Sequence, residues 1–88
     1  MPSHSYTVYM LRCRDGSLYT GIARNVEQRL KQHEAGSGSK YVRSRLPVRL
    51  VFTEGHPDRS SAQRREAELK SLSRSQKEDL VQKKTPDQ

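Results

Sequence analysis

The sequence predicts an α+β domain: a three-stranded, mainly antiparallel sheet flanked by helices, in the order ββαβαα. Three observations carry this. Two runs rich in aromatic and β-branched residues flank Arg14-Asp15-Gly16, and a third such run follows Pro47. Three stretches with helical spacing and polar N-caps occupy most of the remaining chain. At 88 residues the chain has room for one small domain, expected over residues 6–84, with residues 1–5 and 85–88 as flexible ends.

The first strand is expected over Tyr6–Cys13 and the second over Ser17–Ile22, joined by an Asp-Gly turn. Two registers are open. A two-residue turn at Asp15-Gly16 pairs Arg12 with Tyr19 and splits the apolar side chains between the faces. A three-residue loop with Gly16 in the left-handed region pairs Cys13 with Ser17 instead. Val8, Met10, Leu18 and Ile22 then share one face, and Tyr9, Leu11, Cys13, Tyr19 and Gly21 share the other. Burying four clean hydrophobes, each worth about 1.5–3 kcal/mol, favours the second register.

Asn25, with Gln28 three residues on, is expected to cap a helix from Val26 to Ala35 that stops at Gly36. Its inward stripe reads Val26, Arg29, Leu30 and His33, and two of these four are polar. Gly36-Ser37-Gly38-Ser39 reads as a flexible connection. A third strand over Val48–Glu54 alternates Val48, Leu50 and Phe52 with Arg49, Val51 and Thr53. Ser60 with Gln63 is expected to start a helix to Leu72, whose inward stripe is Ala62, Arg65, Glu66 and Leu69. Ser75 with Glu78 signals a last helix, Gln76–Lys83.

Composition narrows the function. Lys and Arg number 17 against 10 Asp and Glu, a formal charge of +7, and mean hydropathy is −1.03. No apolar run approaches the ~18 residues of a membrane span. No basic stretch followed by an apolar one marks a secretory signal, so a cytoplasmic location is expected. One cysteine supplies neither a disulfide nor a Cys-rich zinc cluster. Nucleotide-cradling glycine motifs are absent. The basic excess suggests a polyanion partner, most simply nucleic acid. Between Ala35 and Thr53 there is no acid, while Lys40, Arg43, Arg45 and Arg49 surround Tyr41. Such a stretch suits tracking of a nucleic-acid strand, with Tyr41 available to stack on a base.

The polar residues on inward stripes and the two tyrosines on one sheet face supply what phosphodiester hydrolysis needs. A carboxylate such as Glu66 holds a divalent ion that takes waters and phosphate oxygens as its other ligands. Arg29 suits a phosphate through charge-assisted hydrogen bonds. Tyr9, Tyr19 or His33 suits orientation or deprotonation of a water. Glu66 also stands four residues before Lys70, an ordinary helical ion-pair spacing, which places Lys70 near the same phosphate.

These residues match a known pattern. Thr7-Val8-Tyr9, ten residues before Tyr19-Thr20-Gly21, then Asn25, Arg29 and His33 on one helix, then Glu66, resemble the GIY-YIG nuclease domain over about residues 6–81. The likeness is to the small, stand-alone, single-domain bacterial branch. The first tripeptide keeps only its tyrosine, and the late asparagine of larger members has no clear counterpart. The resemblance implies a three-stranded antiparallel sheet flanked by helices. It implies that Tyr9 and Tyr19 position or activate water, that Arg29 stabilises the scissile phosphate, and that His33 assists proton transfer or binds phosphate. It further implies that Glu66 is the single protein ligand of a Mg2+ or Mn2+ ion. Gly21 is expected to let the backbone pass close beneath the substrate. The expected activity is metal-dependent endonucleolytic cleavage, with single-stranded or branched DNA preferred over duplex, in DNA repair or processing. Lys40, Tyr41, Arg43, Arg45 and Lys70 are the expected nucleic-acid contacts. No membrane and no small-molecule cofactor are expected, and the protein is expected to be a monomer or weak dimer. The alternatives are a non-catalytic nucleic-acid-binding module using the basic face, and a ribosome-associated factor binding structured RNA.

Overall fold

The structure, a computed structural model, describes residues 5–84, without the side chain of Lys84. The expectations for residues 1–4 and 85–88 lie outside the described residues. Ser5, grouped with the flexible N-terminus, donates its amide to His56 O at 2.9 Å and is tied to the sheet. The elements run β1 (Tyr6–Arg12), β2 (Leu18–Ala23), α1 (Val26–Glu34), α2 (Lys40–Arg43), β3 (Arg49–His56), α3 (Arg59–Ser71) and α4 (Arg74–Lys84). The sheet order is β2-β1-β3, and both pairings are antiparallel. The architecture is therefore α+β as expected, with α2 added. No described helix is long and apolar enough to cross a membrane.

The β1–β2 hairpin adopts the three-residue loop. Cys13 N donates to Ser17 O at 2.9 Å, and Gly16 takes a φ of +88°. Tyr9 therefore faces Gly21 across the ladder, and Leu11 faces Tyr19. Both faces of the sheet are buried. Val8, Met10 and Phe52 pack with Ala62, Leu69 and Val81, with Leu18 and Ile22 at the margin, so α3 and α4 cover this face. On the other face Tyr9, Leu11, Cys13, Val42 and Val48 pack with Val26 and Leu30, so α1 and α2 cover it. Central strand β1 thus alternates into two small cores, which is how a chain so poor in apolar residues orders a sheet.

Four local expectations are corrected. The third strand runs to His56, and its alternation breaks at a bulge opposite Met10/Leu11, which face Phe52 and Leu50. Val48 and Phe52 consequently enter opposite cores, and Leu50 is left 37% exposed. Helix α3 is capped by Asp58, whose carboxylate accepts from Ser61 N at 2.8 Å, two residues before the expected Ser60. Helix α4 is capped by Ser73 and Gln76, which exchange side-chain to backbone bonds of 3.2 and 2.9 Å in a reciprocal capping box. Glu78 is thereby released to grip Arg12 of β1, with Oε1 2.6 Å from the guanidinium. Last, α2 lies in what reads as a basic coil, its N-terminal amides at Tyr41 and Val42 met by the Ser39 hydroxyl.

Arg12 also donates to Gly16 O at 3.1 Å, and Arg74 donates to the same carbonyl at 2.8 Å. Helix α4, hairpin turn and central strand are joined by one charge-assisted cluster. Because it is only partly shielded from water, its coupling is expected to be about 1 kcal/mol. A thermal-denaturation double-mutant cycle with Arg12→Met and Glu78→Gln checks that value, and zero coupling refutes it.

Candidate active site

Four elements build the site. β1 supplies Tyr9, and β2 supplies Tyr19 and Gly21. Helix α1 supplies Arg29 and His33, and α3 supplies Glu66. Tyr9, Tyr19, Gly21, Arg29 and Glu66 line one cleft of about 620 Å3 along the β2 edge. His33 is not on its wall. The imidazole is 1% exposed, behind Tyr9, with Nε2 2.9 Å from the Tyr9 hydroxyl. The rings of Tyr9, Tyr19 and His33 form a compact triangle. Their centroids lie 6.5 Å apart for the two tyrosines, and 6.0 and 5.4 Å from His33 to Tyr9 and Tyr19. Arg29, expected on the inward stripe of α1, is exposed at the cleft rim, because α1 turns only Val26, Leu30 and His33 toward the core.

Gly21 lines the cleft and also serves Tyr9. A Cβ on Gly21 would fall 2.6 Å from the Tyr9 hydroxyl, so the missing side chain makes room for the phenol. The phenol lies across β2 and reaches the cleft from the central strand. Gly38 does the same for the imidazole. A Cβ there would overlap His33 Nδ1, so the Gly36–Ser39 segment is a close-fitting lid on the ring and not a loose connection. The glycine pattern was visible in the sequence, but nothing local tied it to His33.

Burial dominates the electrostatics. It pushes the Tyr9 hydroxyl up to about 12, the neighbouring Tyr19 adding to the rise while Arg29 opposes it. Burial, and then the charge of Arg29, hold His33 below its ordinary value. Near neutral pH the pair is therefore a phenol against a neutral imidazole. The Glu66 carboxylate is half-buried, and its Oε2 lies 3.2 Å from Lys70 Nζ. Among the described residues no three His, Cys, Asp or Glu side chains gather as a metal-ligand group. A lone carboxylate fits an ion such as Mg2+ that keeps waters and takes phosphate oxygens, and it does not fit an all-protein metal cage.

The expected nucleic-acid contacts divide. Lys40 and Arg43 are exposed on α2 around a small hollow with Gly36–Ser39. Arg45 lies 3.8 Å over the Tyr41 ring, bonds Asp15 at 3.0 Å and donates to Tyr41 O at 3.1 Å. Tyr41 in turn stacks beside Tyr19 at 6.0 Å. These two side chains brace Tyr19 from the hairpin turn through to α2. Tyr6, Arg24, Arg59 and Gln63 also line the cleft, although no motif singles them out.

Comparison with known proteins gives the family of this fold. The model of the GIY-YIG catalytic domain matches residues 5–79, and the chain belongs to that family, one of nucleases acting on nucleic acid. Its relatives are small bacterial and archaeal proteins of one group. A UPF0213 protein of Natronomonas pharaonis is 54% identical, over 89% of this chain and 92% of its own. Two solution NMR structures share the fold. The UPF0213 protein BH0048 from Bacillus halodurans is 49% identical with a TM-score of 0.61, over 92% of this chain and 87% of its own. The protein EF2693 from E. faecalis is 38% identical with a TM-score of 0.62, over 100% of this chain and 92% of its own.

Two measurements check the packing and charge of the site. Gly38→Ala is expected to cost about 1–3 kcal/mol in urea unfolding, since the imidazole it meets is pinned at Nε2. Stability is expected to fall as pH drops from 7 to 5. In that range the unfolded histidine takes up a proton near 6.5 while the folded one resists, so the unfolded state binds more protons. Four carboxyls are also held low. Ser17 lowers Asp15, Ser61 lowers Asp58 and Arg12 lowers Glu78, while His56 and Arg65 lower Glu54 against the opposing effect of its burial. Their stabilisation is lost only below their ordinary values of 3.8–4.5. The loss between pH 7 and 5 is therefore expected to shrink in His33→Gln, and an undiminished loss refutes the assignment.

Proposed function

We propose that this chain is a metal-dependent endonuclease that hydrolyses phosphodiester bonds in single-stranded or branched DNA. The observation that carries the reading is the meeting of Tyr9, Tyr19, Arg29 and Glu66, from four elements, on one cleft. In this reading Glu66 holds one Mg2+ or Mn2+, which when bound offsets the charge that develops on the phosphate. The Tyr9 hydroxyl accepts from the attacking water while its own proton moves toward His33 Nε2. With a pKa near 12 the phenol is no phenolate at neutral pH, so it needs that outlet. The neutral imidazole is the form able to receive the proton. Tyr19, braced by Tyr41 and Arg45, bounds the water's position. Arg29, at the rim and without a described carboxylate partner, takes the phosphate oxygens. Lys70 holds the Glu66 carboxylate until phosphate competes for it. Lys40 and Arg43 extend the basic surface along α2 for the rest of the strand.

Labelled single-stranded, duplex and branched DNA, and the matching RNAs, are incubated with Mg2+ or Mn2+ and with wild type or Glu66→Gln. The expected result is cleavage of the single-stranded or branched DNA by wild type. Glu66→Gln is expected to reduce it about 1000-fold while still binding, the effect of losing several kcal/mol of charge stabilisation. Cleavage unaffected by Glu66→Gln removes the metal assignment. Binding without cleavage by wild type replaces the enzyme with a nucleic-acid-binding module.

A further inference from the structure

The cleft continues past the residues that act on the scissile bond. Arg59, Gln63 and Glu66 stand at i, i+4 and i+7 on α3 and all line it, so the row extends about 10 Å along the helix. Arg24, which follows β2, enters from the other side. Its guanidinium lies 5.2 Å over the ring of Tyr6, whose face holds it at the wall.

The cleft gathers three arginines against a single acid. Arg12, Arg45, Arg65 and Arg74 each pair with a carboxylate. Arg24, Arg29 and Arg59, the three arginines of the cleft, form no such ion pair among the described residues. The lining holds one acid, Glu66. Arg29 is beside Tyr9, so it serves the reacting phosphate. Arg24 and Arg59 remain, with Gln63 as a neutral donor between Arg59 and Glu66.

We propose that Arg24, Arg59 and Gln63 form a subsite for the phosphodiester next to the scissile one on a single polynucleotide strand. This rests on the cleft being the nucleolytic site proposed above. Guanidiniums suit the role because their planar donor forks match phosphate oxygens, and Tyr6 keeps the Arg24 fork oriented in the absence of substrate. The strand then lies along α3 from Glu66 toward Arg59. Substrate selectivity follows: a rigid duplex must open or bend to place two successive phosphates in a cleft at a sheet edge, and a single strand does so without that cost.

The test compares dinucleotides, which carry one phosphodiester, with trinucleotides, which carry two, in the deoxy and ribo series. Binding to Glu66→Gln is measured by NMR titration, and hydrolysis by wild type is measured in parallel. The expected result is a five- to tenfold affinity gain from di- to trinucleotide in at least one series. That gain is expected to collapse to near one when Arg24→Gln and Arg59→Gln are added, and to persist with Arg64→Gln, an exposed arginine of α3 facing a different hollow. A gain that survives the double substitution overturns the subsite. So does a gain lost equally with Arg64→Gln, which marks bulk charge, and so does no gain at all. Absence of hydrolysis by wild type sinks the nuclease reading alone, since the titration decides the subsite without turnover.

Discussion

The hydrogen bond between the Tyr9 hydroxyl and His33 Nε2 is the constraint around which the rest of the site is arranged. It joins the central strand to α1 in the interior, where a misplaced polar group would be costly. It needs Tyr9 and Gly21 to be cross-strand partners, because only a residue without a side chain leaves space for the phenol. It needs Gly38 over the other edge of the imidazole for the same reason. Register, two glycines and the length of the first helix therefore all converge on one 2.9 Å contact.

The burial around that contact also sets the protonation of both groups. Burial makes Tyr9 a poor acid and His33 a poor base in isolation, one raised and the other lowered. Side by side they form a neutral, hydrogen-bonded pair; Tyr9 is itself only 1% exposed and meets the cleft as part of its wall. Arg29 and Glu66 bound the open side with charges of opposite sign. The cleft thereby presents cation and carboxylate together.

Stability and function share residues unevenly in so small a chain. Val8 and Met10 face one core, and Tyr9 and Leu11 the other, so β1 holds the domain together and carries a site residue at once. The Arg12–Glu78 and Arg45–Asp15 bridges secure the hairpin from two sides, and the second also steadies Tyr41 against Tyr19. The arginines around the cleft, Arg24, Arg29 and Arg59, form no ion pair among the described residues.

The sequence by itself determined the α+β class, the hairpin register, the helix bearing Arg29 and His33, and the helix bearing Glu66. Those features depend on short-range chemistry: turn residues, apolar alternation and caps, all acting within a few positions of one another. Local signals failed where two elements compete or meet. The caps of α3 and α4 shifted because Asp58 and Ser73 were better placed than Ser60 and Ser75, and the strand alternation broke where β3 bulges against β1. Only the tertiary structure decided that Gly21 and Gly38 make room for Tyr9 and His33, that His33 lies behind the cleft wall, and that Tyr41 braces Tyr19. It alone also brought Arg24 and Arg59, 35 positions apart in the chain, to one surface. Proximity across such separations is set by how the sheet twists and which faces the helices cover, and no window of neighbouring residues contains that information.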